Sequence, residues 1–377
     1  MTLITYLTRV HFADGVLEDA LWSEMEAGQK KRPLILSDLD HLGSEIGERL
    51  LAGLPSRTRG EVYSNIPHVP TESDARKVAA VYKSGNCDVL LAFGTGRAID
   101  LAKIARIAIA HDEDMSLFSH KNGGSRRIGE NLPDLFAVPG ILGFGTAVSA
   151  HAPVIIKPAE RGLIMCKKLI PNVTICDPTL TLGVAARDSA SAGADAITQC
   201  VEAYLSKSYN PPAEGIALDG LGRAIANLPI VLKDDNDIHA RREMMAAGLN
   251  GALALQKGLG ASHAISNALE AVSNMALDQG ALNRIALPSV LRFNDDAVRH
   301  KRGALQRLFD MKSGDSLADG IDRYFDLLPL PTSLSQLGLD IEHLRAAATV
   351  ASDDLATDTN PRSIGASDYL SIMRSVH

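Results

Sequence analysis

The sequence predicts an α/β first domain built on a parallel sheet, followed by an all-α second domain. Three observations predict it. The chain has 377 residues, more than one hydrophobic core usually serves. Through about residue 180, short apolar runs ending in turn residues alternate with segments of helical period. After Pro178 the β-branched runs disappear and long Ala/Leu-rich segments replace them. The boundary is placed there, giving domains 1–178 and 179–377 with a cleft expected between them.

Taken in order, RPLILSD (Arg32 to Asp38), CDVLLAFGTG (Cys87 to Gly96), LFAVPG (Leu135 to Gly140), APVIIK (Ala152 to Lys157) and NVTICDP (Asn172 to Pro178) read as strands. Between the first two, SEIGERLLAGL and TESDARKVAAVYKSG carry helical periodicity, and such alternation implies parallel pairing with helices on both faces of the sheet. In the second half DSASAGADAITQCVEAYLS, AEGIALDGLGRAIANLPIVL, ARREMMAAGLNGALAL and SHAISNALEAVSNMAL read as helices. No repeat of fixed period and no low-complexity linker interrupts the chain.

A formal charge of -7 gives no electrostatic reason for a nucleic-acid or anionic-membrane partner, so a small-molecule ligand is the expectation. Cys87, Cys166, Cys176 and Cys200 are scattered without a CxxC pair, which points to reduced, mostly buried thiols. The opening MTLITYLTRVHFADG lacks a basic stretch followed by an apolar core, and no apolar run approaches ~20 residues. The expectation is a soluble, cytoplasmic protein.

CDVLLAFGTGRAIDLAKIARIAIA joins a strand, a Gly-Thr-Gly turn and a helix, and Gly94 and Gly96 would let a diphosphate approach backbone N–H groups at the helix N-terminus. It is not GxGxxG, and glycine in such turns often serves geometry alone. Two other strand ends add support. Asp38 could accept from a ribose 2′-hydroxyl and would repel a 2′-phosphate, favouring NAD over NADP, although a cap or turn role suits it too. PGILGFGTAVS offers Gly140, Gly143 and Gly145 for close backbone approach and the Thr146 hydroxyl. Further on, GADAITQCVEAYLS sets Asp195 and Gln199 four residues apart on one helix face. The plainer explanation is a carboxylate offsetting the helix dipole beside an exposed amide.

The order of these motifs resembles the iron-containing alcohol dehydrogenase superfamily, particularly its branch with maleylacetate reductases. GTGRAIDLAK (Gly94 to Lys103) is similar to the family's GGGSxxDxAK, and PGILGFGTA (Pro139 to Ala147) to PTTxGTGSE. The agreement continues through LIPNVTICDPTLT, GADAITQCVEAY, KGLGASHAISNAL, QGALNRIALPSVLRFN and NPRSIGASDYLSIMR. The resemblance implies the two-domain fold shared with dehydroquinate synthase-like proteins, with NAD as cofactor and substrate meeting it in the cleft. It implies a pyrophosphate region around Gly94, Thr95, Gly96 and Asp100, an adenosine ribose near Asp38, and cofactor contacts from Gly140, Ile141 and Thr146. Gly140, Ile141 and Leu142 occupy the stretch that, in relatives, touches pyrophosphate and nicotinamide through threonines. It also implies a homodimer or larger homo-oligomer.

The family metal is held by an Asp and three His, and this chain departs there. Asp195 and His263 match; Gln199 and Gln279 stand in place of two histidines, Asn267 in place of a further one, and LPS ends in Ser289 where relatives have LPH. Iron and zinc favour imidazole and thiolate donors, and amide oxygens bind them weakly, so tight binding through Asp195, Gln199, His263 and Gln279 is not expected. The chemistry can persist without the metal. In carbonyl reduction charge grows on oxygen, and a protonated His263 could donate to it, with Gln199 or Gln279 contributing amide N–H groups and Asp195 orienting the ring. Lys103 matches the family lysine after the glycine turn and Arg161 roughly matches another; either could be a solvated face charge. The leading reading is an NAD(H)-dependent oxidoreductase interconverting a small alcohol and its aldehyde, ketone or oxo acid. A non-catalytic nucleotide-binding relative and an NAD-using lyase or synthase of the dehydroquinate synthase-like group are the alternatives.

Overall fold

The computed structural model describes residues 8–37, 39–140, 144–157, 160–273, 275–312 and 314–377. Two compact units divide them, one ending at Leu182 and one running from Gly183 to His377.

The first unit runs β1 (Arg9–Phe12), α1 (Leu17–Ala27), β2 (Pro33–Leu36), α2 (Leu39–Leu42), α3 (Glu45–Ala52), β3 (Glu61–Tyr63), α4 (Glu72–Ser84), β4 (Val89–Gly94), α5 (Gly96–Ala110), β5 (Asp134–Pro139), α6 (Phe144–Ala147), β6 (His151–Lys157), β7 (Glu160–Met165) and β8 (Val173–Cys176). Six strands form one parallel sheet in the order β1-β8-β5-β4-β2-β3. PLIL of β2 and VLLAFG of β4 are apolar without alternation because every residue in them is buried, as parallel strands covered on both faces require. On one face Ile35, Leu91, Phe136 and Val173 pack with Leu17 and Leu21 of α1 and Leu50 of α3. On the other Leu34, Leu90, Ala92 and Leu135 pack with Val78 of α4 and Ile99 and Ala102 of α5. The chain therefore leaves β2 toward one face and the adjacent β4 toward the other. Sheets of this type take ligands at the carboxyl ends of the strands where such a reversal falls.

One strand expectation is corrected. APVIIK lies in β6, but β6 pairs antiparallel with β7 in a separate two-stranded sheet. Its apolar residues Ala152 and Val154, with Ile164 of β7, are buried against Ile104 and Ile107 of α5 instead of within the main sheet. An apolar run reports burial, not the partner that provides it.

The second unit is helical, with α7 (Ala186–Leu205), α8 (Pro211–Lys233), α9 (Ile238–Ala254), α10 (Ala261–Ser273) and α11 (Gln279–Asn294) followed by shorter helices to Ser375. The starts are chemically marked: the Asn210, Asp237 and Asp278 side chains accept from the backbone N–H groups of Ala213, Ala240 and Ala281. By length and mean composition alone α8 could cross a membrane, although Glu214, Asp219 and Arg223 interrupt its apolar stretches. Its Ala217, Leu221, Ala224 and Leu228 instead share a core with Ile197 and Val201 of α7, the setting of a core helix. The four cysteines are free and buried, as expected.

Candidate active site

In the first unit the structure brings the glycine turn and the end of β5 together. Gly94 has φ +101°, a conformation L side chains rarely adopt, so glycine is required to turn the chain from β4 into α5. Thr95 follows in extended geometry and caps α5 without a side-chain hydrogen bond. The helix N-terminus thus keeps its dipole and N–H groups for an anion. The Gly140 N–H donates to the Gly94 carbonyl at 2.7 Å, and a Cβ on Gly140 would meet that oxygen at 3.3 Å. Two buried hydroxyls at neighbouring strand ends, Ser37 Oγ and Thr95 Oγ1, have no hydrogen-bond partner among the described residues. Sequence reasoning passed over Ser37; its adjacency to Asp38 was the available signal. Asp38 and Ile141, with Leu142 and Gly143, lie outside the described residues.

Asp100 and Thr146 also meet, the Thr146 hydroxyl donating to the Asp100 carboxylate. The reading of Lys103 as a solvated charge is corrected: its residue is entirely buried. Its ammonium donates to the Thr146 carbonyl at 2.6 Å and hydroxyl at 2.9 Å, the Ser149 carbonyl at 2.9 Å and hydroxyl at 3.1 Å, and the His151 carbonyl at 2.9 Å. Burial pushes its pKa down to about 7, against the pull of the Asp100 charge.

The second unit assembles the other candidates on three helices. Asp195, Gln199 and Glu202 stand at i, i+4 and i+7 of α7 and so share a face. His263 lies in the first turn of α10, and Gln279 and Asn283 in the first two turns of α11. Close packing sets this spacing, since a Cβ on Gly280 would lie 2.1 Å from the Ser191 carbonyl oxygen of α7. Gly280→Ala should therefore part α11 from α7 and destabilise the protein by about 1–3 kcal/mol in urea unfolding; an unchanged midpoint would remove this account of the spacing.

His263 is the centre of the group. Its Nδ1 lies 2.6 Å from Glu202 Oε2 and its Nε2 lies 3.4 Å from Asp195 Oδ1. Glu202 is fixed in turn by the Gly260 N–H at 3.0 Å and the Ser262 N–H at 2.7 Å, at the start of α10. Burial works against the charged imidazole, but hydrogen bonds to Asp195 and Glu202 and the two negative charges outweigh it, raising the pKa to about 10. The Gln199 amide donates to Asp195 Oδ2 at 2.8 Å and the Asn283 amide to Asp195 Oδ1 at 2.8 Å. Gln279 sits to one side, its amide nitrogen 3.5 Å from Ser266 Oγ and from Asn267 Oδ1. Sequence reasoning missed Glu202 and Asn283, though both lie one helical step of three or four from a named candidate.

The donor set does not fit iron or zinc. Both Asp195 oxygens already accept from amides, His263 Nδ1 is held by Glu202, and the remaining candidates are neutral amides. Among the described residues no group of three or more His, Cys, Asp or Glu is placed to hold a metal ion. What the arrangement can do without one is hold a buried imidazolium between two carboxylates, with the more accessible carboxylate, Asp195, on the Nε2 side: its side chain is 29% exposed against 4% for His263.

Residues 8–178 match the family described as iron-containing alcohol dehydrogenase, and residues 189–377 match the C-terminal part of the Fe-containing alcohol dehydrogenase family. 4-Hydroxybutyrate dehydrogenase of Cupriavidus necator is 36% identical over 376 residues, covering 98% of each chain. Two solved structures share the fold: 1,3-propanediol oxidoreductase, with a TM-score of 0.91 at 24% identity over 100% of each chain, and sulfoacetaldehyde reductase of Bifidobacterium kashiwanohense in complex with NAD+, with a TM-score of 0.88 at 20% identity over 100% of this chain and 98% of that one. By its two-domain fold and by matches that run nearly end to end, the chain belongs to the iron-containing alcohol dehydrogenase family.

Proposed function

We propose that this chain, an NAD-dependent alcohol dehydrogenase or carbonyl reductase, interconverts a short terminal hydroxy acid and its semialdehyde, and activates the carbonyl with the His263 imidazolium instead of iron or zinc. The single observation that carries the mechanism is His263 itself, buried and held between Glu202 and Asp195. The substrate class is supported by the relative named 4-hydroxybutyrate dehydrogenase, which matches over 98% of each chain. A maleylacetate-type oxo acid belongs to the same carboxylate-bearing class and is implied by the sequence resemblance.

NAD(H) supplies and takes up the hydride. In the reductive direction hydride reaches the carbonyl carbon while negative charge grows on oxygen, and the proton that completes the alcohol comes from His263. Nδ1 is committed to Glu202 at 2.6 Å, so the proton offered is the one on Nε2, beside Asp195. The Gln199 amide holds Asp195 in place. In the oxidative direction the neutral ring takes the alcohol proton as hydride leaves carbon for NAD+. We assign the pyrophosphate to the Gly94–Thr95–Gly96 turn and the start of α5, with Asp100, Gly140 and Thr146 beside it; Asp38, outside the described residues, would disfavour NADP by the sequence resemblance. The reading extends to a cytoplasmic homodimer or larger homo-oligomer, supported by four unpaired thiols for the compartment and by the resemblance for the assembly.

Loss of NADH absorbance tests it with three carbonyl compounds: 4-oxobutanoate, the neutral butanal of equal length, and a longer oxo diacid. The expected order puts 4-oxobutanoate above butanal by about tenfold or more in kcat/KM, the worth of one charged contact. A preference for butanal would sink the hydroxy-acid assignment. Binding of NADH without turnover of any of the three would favour a non-catalytic relative.

A further inference from the structure

Lys103 is a buried ammonium that the hydride-transfer chemistry does not use. Gly96, Asp100 and Lys103 stand at i, i+4 and i+7 of α5, and so present one face. The segment from Thr146 to His151 is drawn against that face. All five oxygens that receive the ammonium within 3.1 Å belong to it, three of them backbone carbonyls. Thr146 extends the chain of bonds by donating to Asp100. From the other side the Thr174 hydroxyl of β8 donates to the Ala147 carbonyl at 2.8 Å. Burying an ammonium is costly unless its protons all find acceptors, and here the acceptors outnumber the three protons. A cation with that many partners along one short segment ties the end of α6 to the start of β6 and fixes the path between them.

We infer that Lys103 is a positioning residue for the cofactor: by gripping residues 146–151 it sets Thr146 and Asp100 beside the Gly94–Thr95–Gly96 turn and so governs NAD(H) affinity, not the hydride step. This rests on the assignment of NAD(H) to that turn. Lys103→Met keeps the length of the side chain and removes the charge. It should raise the NADH Kd, measured by fluorescence titration, about tenfold or more, and raise KM for NADH in parallel. At saturating NADH, kcat should stay within about threefold of wild type, well short of the loss expected on removing a proton donor. Amide hydrogen exchange should speed up in peptides covering 144–151 while peptides of β4 and β5 keep their protection, which a general loosening of the unit would not reproduce. An unchanged Kd with unchanged exchange in 144–151 would overturn the inference. Should Lys103→Met fail to fold, Ser149→Ala removes one of the five acceptors and should still raise Kd about twofold; no rise would overturn it equally. If wild-type protein itself does not bind NADH, the cofactor assignment falls and this inference falls with it.

Discussion

Replacing His263 with alanine should lower kcat for carbonyl reduction about a thousandfold, within the range a positioned proton donor contributes, while the NADH Kd stays within about twofold, since the assigned cofactor residues belong to the other unit. Without the ring, no group in the cluster carries a proton to meet the growing alkoxide: Asp195 and Glu202 are acceptors, and the amides of Gln199, Asn283 and Gln279 donate without transferring. The same change leaves buried Glu202 facing Asp195 with the cation between them gone, which should also cost stability of about 3–5 kcal/mol. His263→Gln separates the two effects, because it fills the space and retains a donor for Glu202; it should recover much of the stability and little of the rate. An undiminished rate in either variant would exclude His263 as the proton donor.

The raised pKa of His263 has a definite sign in both activity and stability. Its folded value of about 10 lies above the ordinary imidazole value of 6.5. The stabilisation from charging the ring is therefore complete below about pH 6.5 and is lost as pH rises through 10. The gap in melting temperature between wild type and His263→Gln should narrow from pH 7 toward pH 10. Over the same window kcat/KM for reduction should stay level near neutrality and fall as the ring loses its proton. A fall centred near 6.5 would place the ring outside the influence of the two carboxylates.

Glu202 carries the second large expectation. Glu202→Ala should cut kcat about a hundredfold, the upper end of what removal of an orienting partner behind a functional imidazole costs. Its carboxylate receives three donors: the His263 ring at 2.6 Å and the Gly260 and Ser262 N–H groups. Removing it frees the ring to rotate and strands two buried N–H groups at the start of α10. Glu202→Gln keeps the volume but has one acceptor oxygen and no charge, so it should restore thermal stability in part and shift the alkaline limb of the reduction profile to lower pH. A Glu202→Gln enzyme with wild-type rate and wild-type pH limb would reduce Glu202 to a helix cap.

Most of the fold was legible because buried parallel strands and amphipathic helices write their period into the sequence. RPLILSD, CDVLLAFGTG, LFAVPG and NVTICDP all fall on strands of the main sheet. The four-residue β1 and three-residue β3 were not read, since edge strands as short as RVHF and EVY carry no pattern distinguishable from a loop. APVIIK was read as a strand but joins β7, because apolar character records burial and not the partner. In the site, Asp195, Gln199 and His263 were found through their spacing and the family resemblance. Glu202 escaped although it completes the i, i+4, i+7 face of α7, as its role depends on α10 lying across that face. The burial of Lys103 escaped for a similar reason: α5 is covered on both sides, by the sheet and by the β6–β7 hairpin, and only tertiary packing reveals a helix without a solvent face.

If, as proposed, a buried imidazolium stands in for the metal ion of a site with more histidines, turnover should be independent of iron and zinc. The most direct test is turnover of protein dialysed against a strong chelator, with iron and zinc content measured on the same sample. Protein stripped of both metals should reduce its carbonyl substrate with NADH at the rate of untreated protein. Activity lost on stripping and restored by adding iron or zinc would contradict it.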